Sequence, residues 1–246
     1  MKRVKKMILV ALVFVLVGVG VLSYPAVSDI AYSFNAQKVI DAYRQSIAQK
    51  YEQEREGAGT DMPGNQGSEG TLEWLYQEMV AYNENLYVTG QQDLVDPFSY
   101  QQIDFDLTQF GFDENMIGYL TIPAIDVNLP VYLGANTDNL AKGAVHLTQT
   151  SLPVGGENTN SVIAAHRGFV SAKMFRDIHK LQLDDTVTFS NFRETLSYTV
   201  DEIKIISPTD INEVLIQPGR DLLTLITCNP YGHNYERYVV YAERVA

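Results

Sequence analysis

Leu222-Leu223-Thr224-Leu225-Ile226-Thr227-Cys228, then Asn229-Pro230-Tyr231-Gly232-His233-Asn234, then Tyr235-Glu236-Arg237-Tyr238-Val239-Val240-Tyr241-Ala242, read as two strands around a turn. The flanks are apolar, β-branched and aromatic. The centre carries Pro, Gly and Asn, which fix φ or tolerate its positive range. Folded about Gly232–His233, the hairpin sets Cys228 opposite Arg237. Cys228 is the only cysteine of the chain, so no internal disulfide can use it, and it is either a chemical group or a small core residue. Arg237 is either a strand-edge cation paired with a surface carboxylate or a fixed positive charge beside a nucleophile. The mirror placement favours the second.

Upstream of this hairpin the same texture recurs. Ile117–Ile122, Val127–Tyr132, Ser161–Ala165, Thr186–Phe189 and Leu196–Ile206 are short β-rich runs separated by Gly, Pro, Asn and Asp. Seven or eight short strands with few helices over residues 116–246 predict a small closed barrel or a sandwich. No internal repeat, glycine-rich phosphate loop or clustered metal-ligand spacing occurs in the sequence.

The N-terminal third differs. Lys2, Arg3, Lys5 and Lys6 precede 22 residues, 7–28, without a charge; as a helix these reach roughly 33 Å, about the hydrocarbon thickness of a bilayer. The basic flank predicts a cytoplasmic N-terminus and an exported remainder. Ala26-Val27-Ser28 would also serve as a signal-peptide cleavage site, but the length of the apolar run favours an uncleaved anchor. We therefore read 1–28 as basic stub and anchor (or signal), 29–115 as N-terminal helices, linker and loop, and 116–246 as the β domain. Ser28 is read as the cap of a helix to about Arg55, with Ile30, Phe34, Ile40, Tyr43 and Ile47 at near-helical spacing. Gly57–Gly70 is a flexible linker. Thr71 opens a second helix to about Leu86, with a stripe of Leu72, Leu75, Met79 and Tyr82. Asp96-Pro97-Phe98 lies in the loop beyond.

Removing Lys2, Arg3, Lys5 and Lys6 from 18 basic residues leaves 14 against 30 acidic ones, a net −16 outside the membrane. That sign argues against nucleic acid as a partner. A lone thiol in an exported protein is exposed to oxidation, which makes selection for chemistry the better reason to keep it.

A free thiol near pKa 8.5 is only slightly ionised at neutral pH, so a working Cys228 needs a base or a cation beside it. Of four scattered histidines, His166 ends the apolar run Ser161–Ala165 and opens a loop, a usual place for a catalytic group; it is the first candidate. His233, in the turn, is the second. His146 lies in an apolar setting that suits a hydrogen-bonded structural histidine, and His179 reads as solvated.

At this point the motifs acquire a family. Thr224-Leu225-Ile226-Thr227-Cys228-Asn229-Pro230-Tyr231-Gly232 followed by Arg237, with Ala165-His166-Arg167-Gly168 62 residues ahead of the cysteine, resembles the signature of sortases. These are membrane-anchored cysteine transpeptidases of Gram-positive surfaces. Ile122-Pro123, Gly143–Leu147 and Ser151–Gly156 match as well. Cys-x-Pro-Tyr-Gly, His-Arg-Gly and two preceding helices are similar to class C, the pilus-assembling sortases, and Asp96, Pro97 and Phe98 match that class's lid in type and order.

The resemblance implies an eight-stranded sortase barrel in which Cys228, as a thiolate supported by protonated His166, attacks the Thr–Gly bond of an LPXTG-like sorting signal. Arg237 would hold substrate and oxyanion, and the lid would cover the site. The thioacyl enzyme would pass to a pilin lysine or, in the housekeeping reaction, to a cell-wall peptide amine. No cofactor is implied, and the calcium dependence of some sortases finds no ligand cluster here. Class C members commonly end in a second hydrophobic segment with a basic tail, whereas the last strand here leads directly to Val245-Ala246, so anchorage at the N-terminal end alone is expected. From another class altogether, the chain would be a surface-anchored binding domain with an incidental thiol.

Overall fold

The computed structural model describes residues 2–57, 70–91, 105–112, 114–168 and 172–245. Apart from its end residues, the Gly57–Gly70 linker lies outside them, as does the Asp96-Pro97-Phe98 segment.

One helix, α1 (Lys2–Gly57), runs unbroken through the apolar segment and beyond it. Ser28 is therefore not a helix cap. Its hydroxyl donates back to Pro25 O at 3.0 Å, inside the helix, and Pro25 itself is accommodated within it. The first half of α1 is long and apolar enough to cross a membrane. The second half buries Ala36, Ile40, Tyr43 and Ile47, a single stripe at helical spacing. Ile30 and Phe34 do not belong to it and stay 57% and 74% exposed, because Phe34 is displaced by six residues from Ile40 and so points about 120° away from the buried face.

Helix α2 (Thr71–Thr89) starts from Gly70 without a side-chain cap of its own. Instead Glu54 of α1 accepts from Leu72 N at 2.8 Å, which supplies a carboxylate to the positive end of the helix dipole. The α2 stripe of Leu72, Leu75 and Met79 continues to Asn83 and Leu86, with Tyr82 only partly buried against the core. Asn83 treats Leu152 as a strand neighbour would. It donates to Leu152 O at 3.0 Å and accepts from Leu152 N at 2.7 Å, so the buried backbone of Leu152 is satisfied by a helix side chain.

The rest of the molecule is a closed barrel, with strand order β1-β2-β3-β4-β7-β8-β6-β5. The strands are β1 (Met116–Ile122), β2 (Val127–Leu133), β3 (Ala144–His146), β4 (Thr159–Ala164), β5 (Thr186–Ser190), β6 (Thr195–Ile206), β7 (Asp221–Asn229) and β8 (Glu236–Arg244). A short helix α3 (Thr137–Lys142) links β2 to β3. Closure leaves no free sheet edge among the described strands and decides between the barrel and the sandwich. The interior is filled by residues such as Leu120, Ile163, Phe189, Leu223 and Val240, each fully buried. Gly118 is fixed by a close approach: a Cβ there would lie 2.3 Å from Ser190 O of the paired strand β5.

Two of the pairings are parallel, β2 with β3 and β4 with β7. The second positions the site.

Candidate active site

Strand β7 pairs with β4 in the register Thr159↔Asp221 through Ala164↔Ile226, a constant offset of 62 residues. His166 and Cys228 are separated by the same 62 positions. Each therefore lies two residues past the last register pair, at the same end of neighbouring parallel strands. Strand β8 then pairs antiparallel with β7, and Cys228 stands opposite Arg237, as the hairpin predicts.

The three side chains converge. Cys228, His166 and Arg237 line one cleft of about 260 Å³ together with Ala135, Leu140, Leu147, Ala164 and Ile226. The walls are largely apolar, with Thr227 and Asn234 as further polar lining residues, the usual make-up of a ligand-binding cleft. Cys228 is half-buried. Arg237 Nη1 donates to Asn234 O and Glu236 O, both at 3.0 Å, so backbone carbonyls of the turn and of the start of β8 hold the guanidinium.

His166 is also half-buried. Burial pushes its imidazole below the ordinary histidine range, because the charged form loses hydration. The direction favours neutral imidazole, a proton acceptor, over imidazolium in the free site. The linkage has a definite sign. A histidine depressed in the folded state stabilises the fold above its unfolded value of about 6.5 and loses that contribution as pH falls through the folded value. Melting temperatures at pH 7.5 and 5.5 should therefore fall further for the native chain than for His166→Asn. Equal falls would contradict the burial argument.

The other histidines separate as the sequence suggests. His146 is buried, with Nε2 within 2.9 Å of Ser151 O and 3.1 Å of Thr150 Oγ1. His179 is exposed. His233, the second candidate base, is exposed in the turn and stacks on Tyr235 at a centroid distance of 5.0 Å, outside the residues lining the cleft.

The motif threonines are structural. Thr224 Oγ1 donates to Asn160 Oδ1 at 2.7 Å, and Asn160 in turn donates to Val214 O and Leu215 O. Thr227 Oγ1 donates to Ala165 O at 2.7 Å, tying the residue before His166 to the residue before Cys228. Both hydroxyls are buried, where a missing partner costs about 1–3 kcal/mol.

Sequence reasoning misses one side chain. Arg167, next to His166, donates from Nη1 to Cys228 O at 3.4 Å and to Asn229 Oδ1. Gly168 follows with φ +89° and so close to the Tyr231 ring that a Cβ would lie 2.9 Å from it, which is the physical demand behind His-Arg-Gly.

A closed barrel that brings one thiol, one imidazole and one guanidinium to one cleft has the groups that thiol-based acyl transfer needs. The sortase domain family model matches residues 120–245, just over half of the chain, and the chain belongs to that family. It is similar to sortase D of Bacillus subtilis, at 30% identity over 131 residues, 52% of this chain and 63% of that protein; it thus spans less than two thirds of this curated relative. Among solved structures it is similar to sortase C of Streptococcus pneumoniae, with TM-score 0.66, 32% identity and coverage of 85% of this chain and 97% of that one. It is likewise similar to the lid-mutant of Streptococcus agalactiae sortase C1, with TM-score 0.65, 30% identity and coverage of 73% and 92%.

Proposed function

We propose that this chain is a class C sortase-like cysteine transpeptidase that joins an LPXTG-like sorting signal to a pilin lysine. The observation that carries the reading is the common offset of 62 residues, which brings His166 beside Cys228 across β4 and β7, with Arg237 opposite on β8.

The cycle follows from the groups present. Neutral His166 takes the Sγ proton of Cys228, and the thiolate attacks the threonine carbonyl carbon. The carbonyl π pair moves to oxygen, and Arg237 stabilises the oxyanion. Collapse breaks the C–N bond, and the imidazolium gives its proton to the departing glycine amine. A thioester to Cys228 remains. A lysine amine attacks it, loses a proton to the imidazole, and releases the thiol as the isopeptide bond forms. The apolar walls of the cleft suit the leucine and proline of such a signal.

The pilin acceptor is supported by likeness to the S. pneumoniae enzyme, whose crystal structure is described as bearing on pilin substrate specificity. Incubation with a purified pilin and an LPXTG-bearing partner should give covalent ladders. Transfer to cell-wall peptide amines alone would contradict the pilus reading and favour the housekeeping reaction.

The basic stub and apolar first half of α1 support a single-pass anchor with the N-terminus in the cytoplasm and the barrel on the outer face, dividing the chain at 1–28, 29–115 and 116–246. Asp96, Pro97 and Phe98 are proposed as a lid from their sequence and their place between α2 and the barrel, and from the likeness to a sortase for which a lid-mutant is known. Asp96→Ala combined with Phe98→Ala should speed iodoacetamide labelling of Cys228 several-fold. Unchanged labelling would contradict the lid.

A further inference from the structure

The pleat of the sheet divides the site between two faces. Successive residues of a strand point to opposite sides, so the pair Cys228↔Arg237 and the next pair, Asn229↔Glu236, face apart. Cys228 and Arg237 line the cleft, as does His166, whereas Arg167, Asn229 and Glu236 do not. On that second face the latter three form a chain of contacts. Glu236 Oε2 accepts from Asn229 Nδ2 at 2.8 Å, which turns the amide oxygen of Asn229 toward Arg167. The guanidinium bonds that oxygen and the carbonyl of Cys228, and lies over the Tyr238 ring with Cζ 5.3 Å from its centroid. Its Nε is buried without a hydrogen-bond partner among the described residues, so the group is held there at a desolvation cost.

We propose that Arg167 is a positioning residue for Cys228 and His166, oriented by Asn229 and, through it, by Glu236. The inference rests on the transpeptidase reading. The residue before His166 is tied to β7 by the Thr227 hydroxyl, and the residue after it is tied by Arg167. Two tethers flank the imidazole, one on each side. With both in place the imidazole is held at the cleft that the thiol also lines, the neighbourhood that proton transfer requires. The cation at the Cys228 carbonyl adds a positive potential that favours the thiolate. Both Arg167 contacts leave the same nitrogen, Nη1, whose two N–H directions are fixed by the guanidinium plane, whereas the donors of a lysine ammonium rotate about its stem.

The test is the pH profile of iodoacetamide labelling of Cys228 in the full chain, with the melting temperature measured alongside. Arg167→Met should move the midpoint upward by about one unit and slow labelling at pH 7 about tenfold. Asn229→Ala should move it the same way, and the double variant no further than Arg167→Met alone. Arg167→Lys should restore less than half of the shift. A superimposable profile for Arg167→Met, additive shifts in the double variant, or full rescue by lysine would each overturn the proposal. If Arg167→Met does not fold, Asn229→Ala decides by the same profile. The reagent needs no sorting signal, so shifts seen in the variants of a chain whose native form ignores LPXTG peptides would sink the transpeptidase reading alone.

Discussion

Cys228→Ala is expected to abolish thioacyl formation with an LPXTG peptide, a loss of at least about 10⁴-fold in kcat, while the melting temperature stays within a few degrees of the native value. The two halves of the result follow from one fact: the residue is half-buried at the mouth of β7 rather than packed in the barrel interior. Removing one sulfur there creates no enclosed cavity, so the fold has little to lose. The reaction, by contrast, has no substitute nucleophile, because the sequence holds no other cysteine. The same variant separates the enzyme from a surface binding domain with an incidental thiol, since such a domain would keep its function after the change. Peptide-release kinetics and a thermal melt on the same preparation check both halves.

Arg237→Ala is expected to cost about 10²–10³ in kcat, the range for removing one oxyanion donor, with a smaller change in KM. The guanidinium is pre-organised by Asn234 O and Glu236 O on one of its nitrogens, so its reorganisation during the reaction is small, which is where electrostatic catalysis gains most. Arg237→Lys should recover part of the rate, because a point charge replaces the fork but not its direction. Steady-state kinetics on the three forms would show it. An Arg237→Ala enzyme with native kcat would reduce the residue to a surface ion.

The β7–β8 hairpin is legible from residues 222–242 alone, because turn chemistry and a β-branched pattern agree there to within a residue at the turn, where Asn229 joins β7 and Tyr235 leaves β8. A mainly β domain of barrel or sandwich type is legible from the density of short strands, but the closure that makes it a barrel is not. The short strand β3 is not: three residues in an apolar stretch carry no period. Nor is the continuity of α1 (Lys2–Gly57). Pro25 and Ser28 look like a boundary, but a helix whose second half is buried against the barrel needs no local cap to persist.

The site was half legible. His166, Cys228 and Arg237 can be selected as candidates by residue type and context, yet the offset of 62 acquires meaning only once β4 and β7 are paired in parallel. Arg167 stayed hidden because its partners, Asn229 and Glu236, look like ordinary turn and surface residues. One signal was available, since Asn229 and Glu236 are equidistant from the hairpin centre, as Cys228 and Arg237 are. The same mirror argument extends to the bracing pair.

The most direct test of the central claim is the intact mass of the full chain after mixing with an LPXTG-containing peptide in the absence of an acceptor amine. The account predicts an adduct equal to the peptide cleaved after threonine, attached at Cys228, missing in Cys228→Ala and discharged by adding a lysine-bearing pilin. Peptide cleavage without any adduct at Cys228, or an adduct that persists in Cys228→Ala, would contradict it.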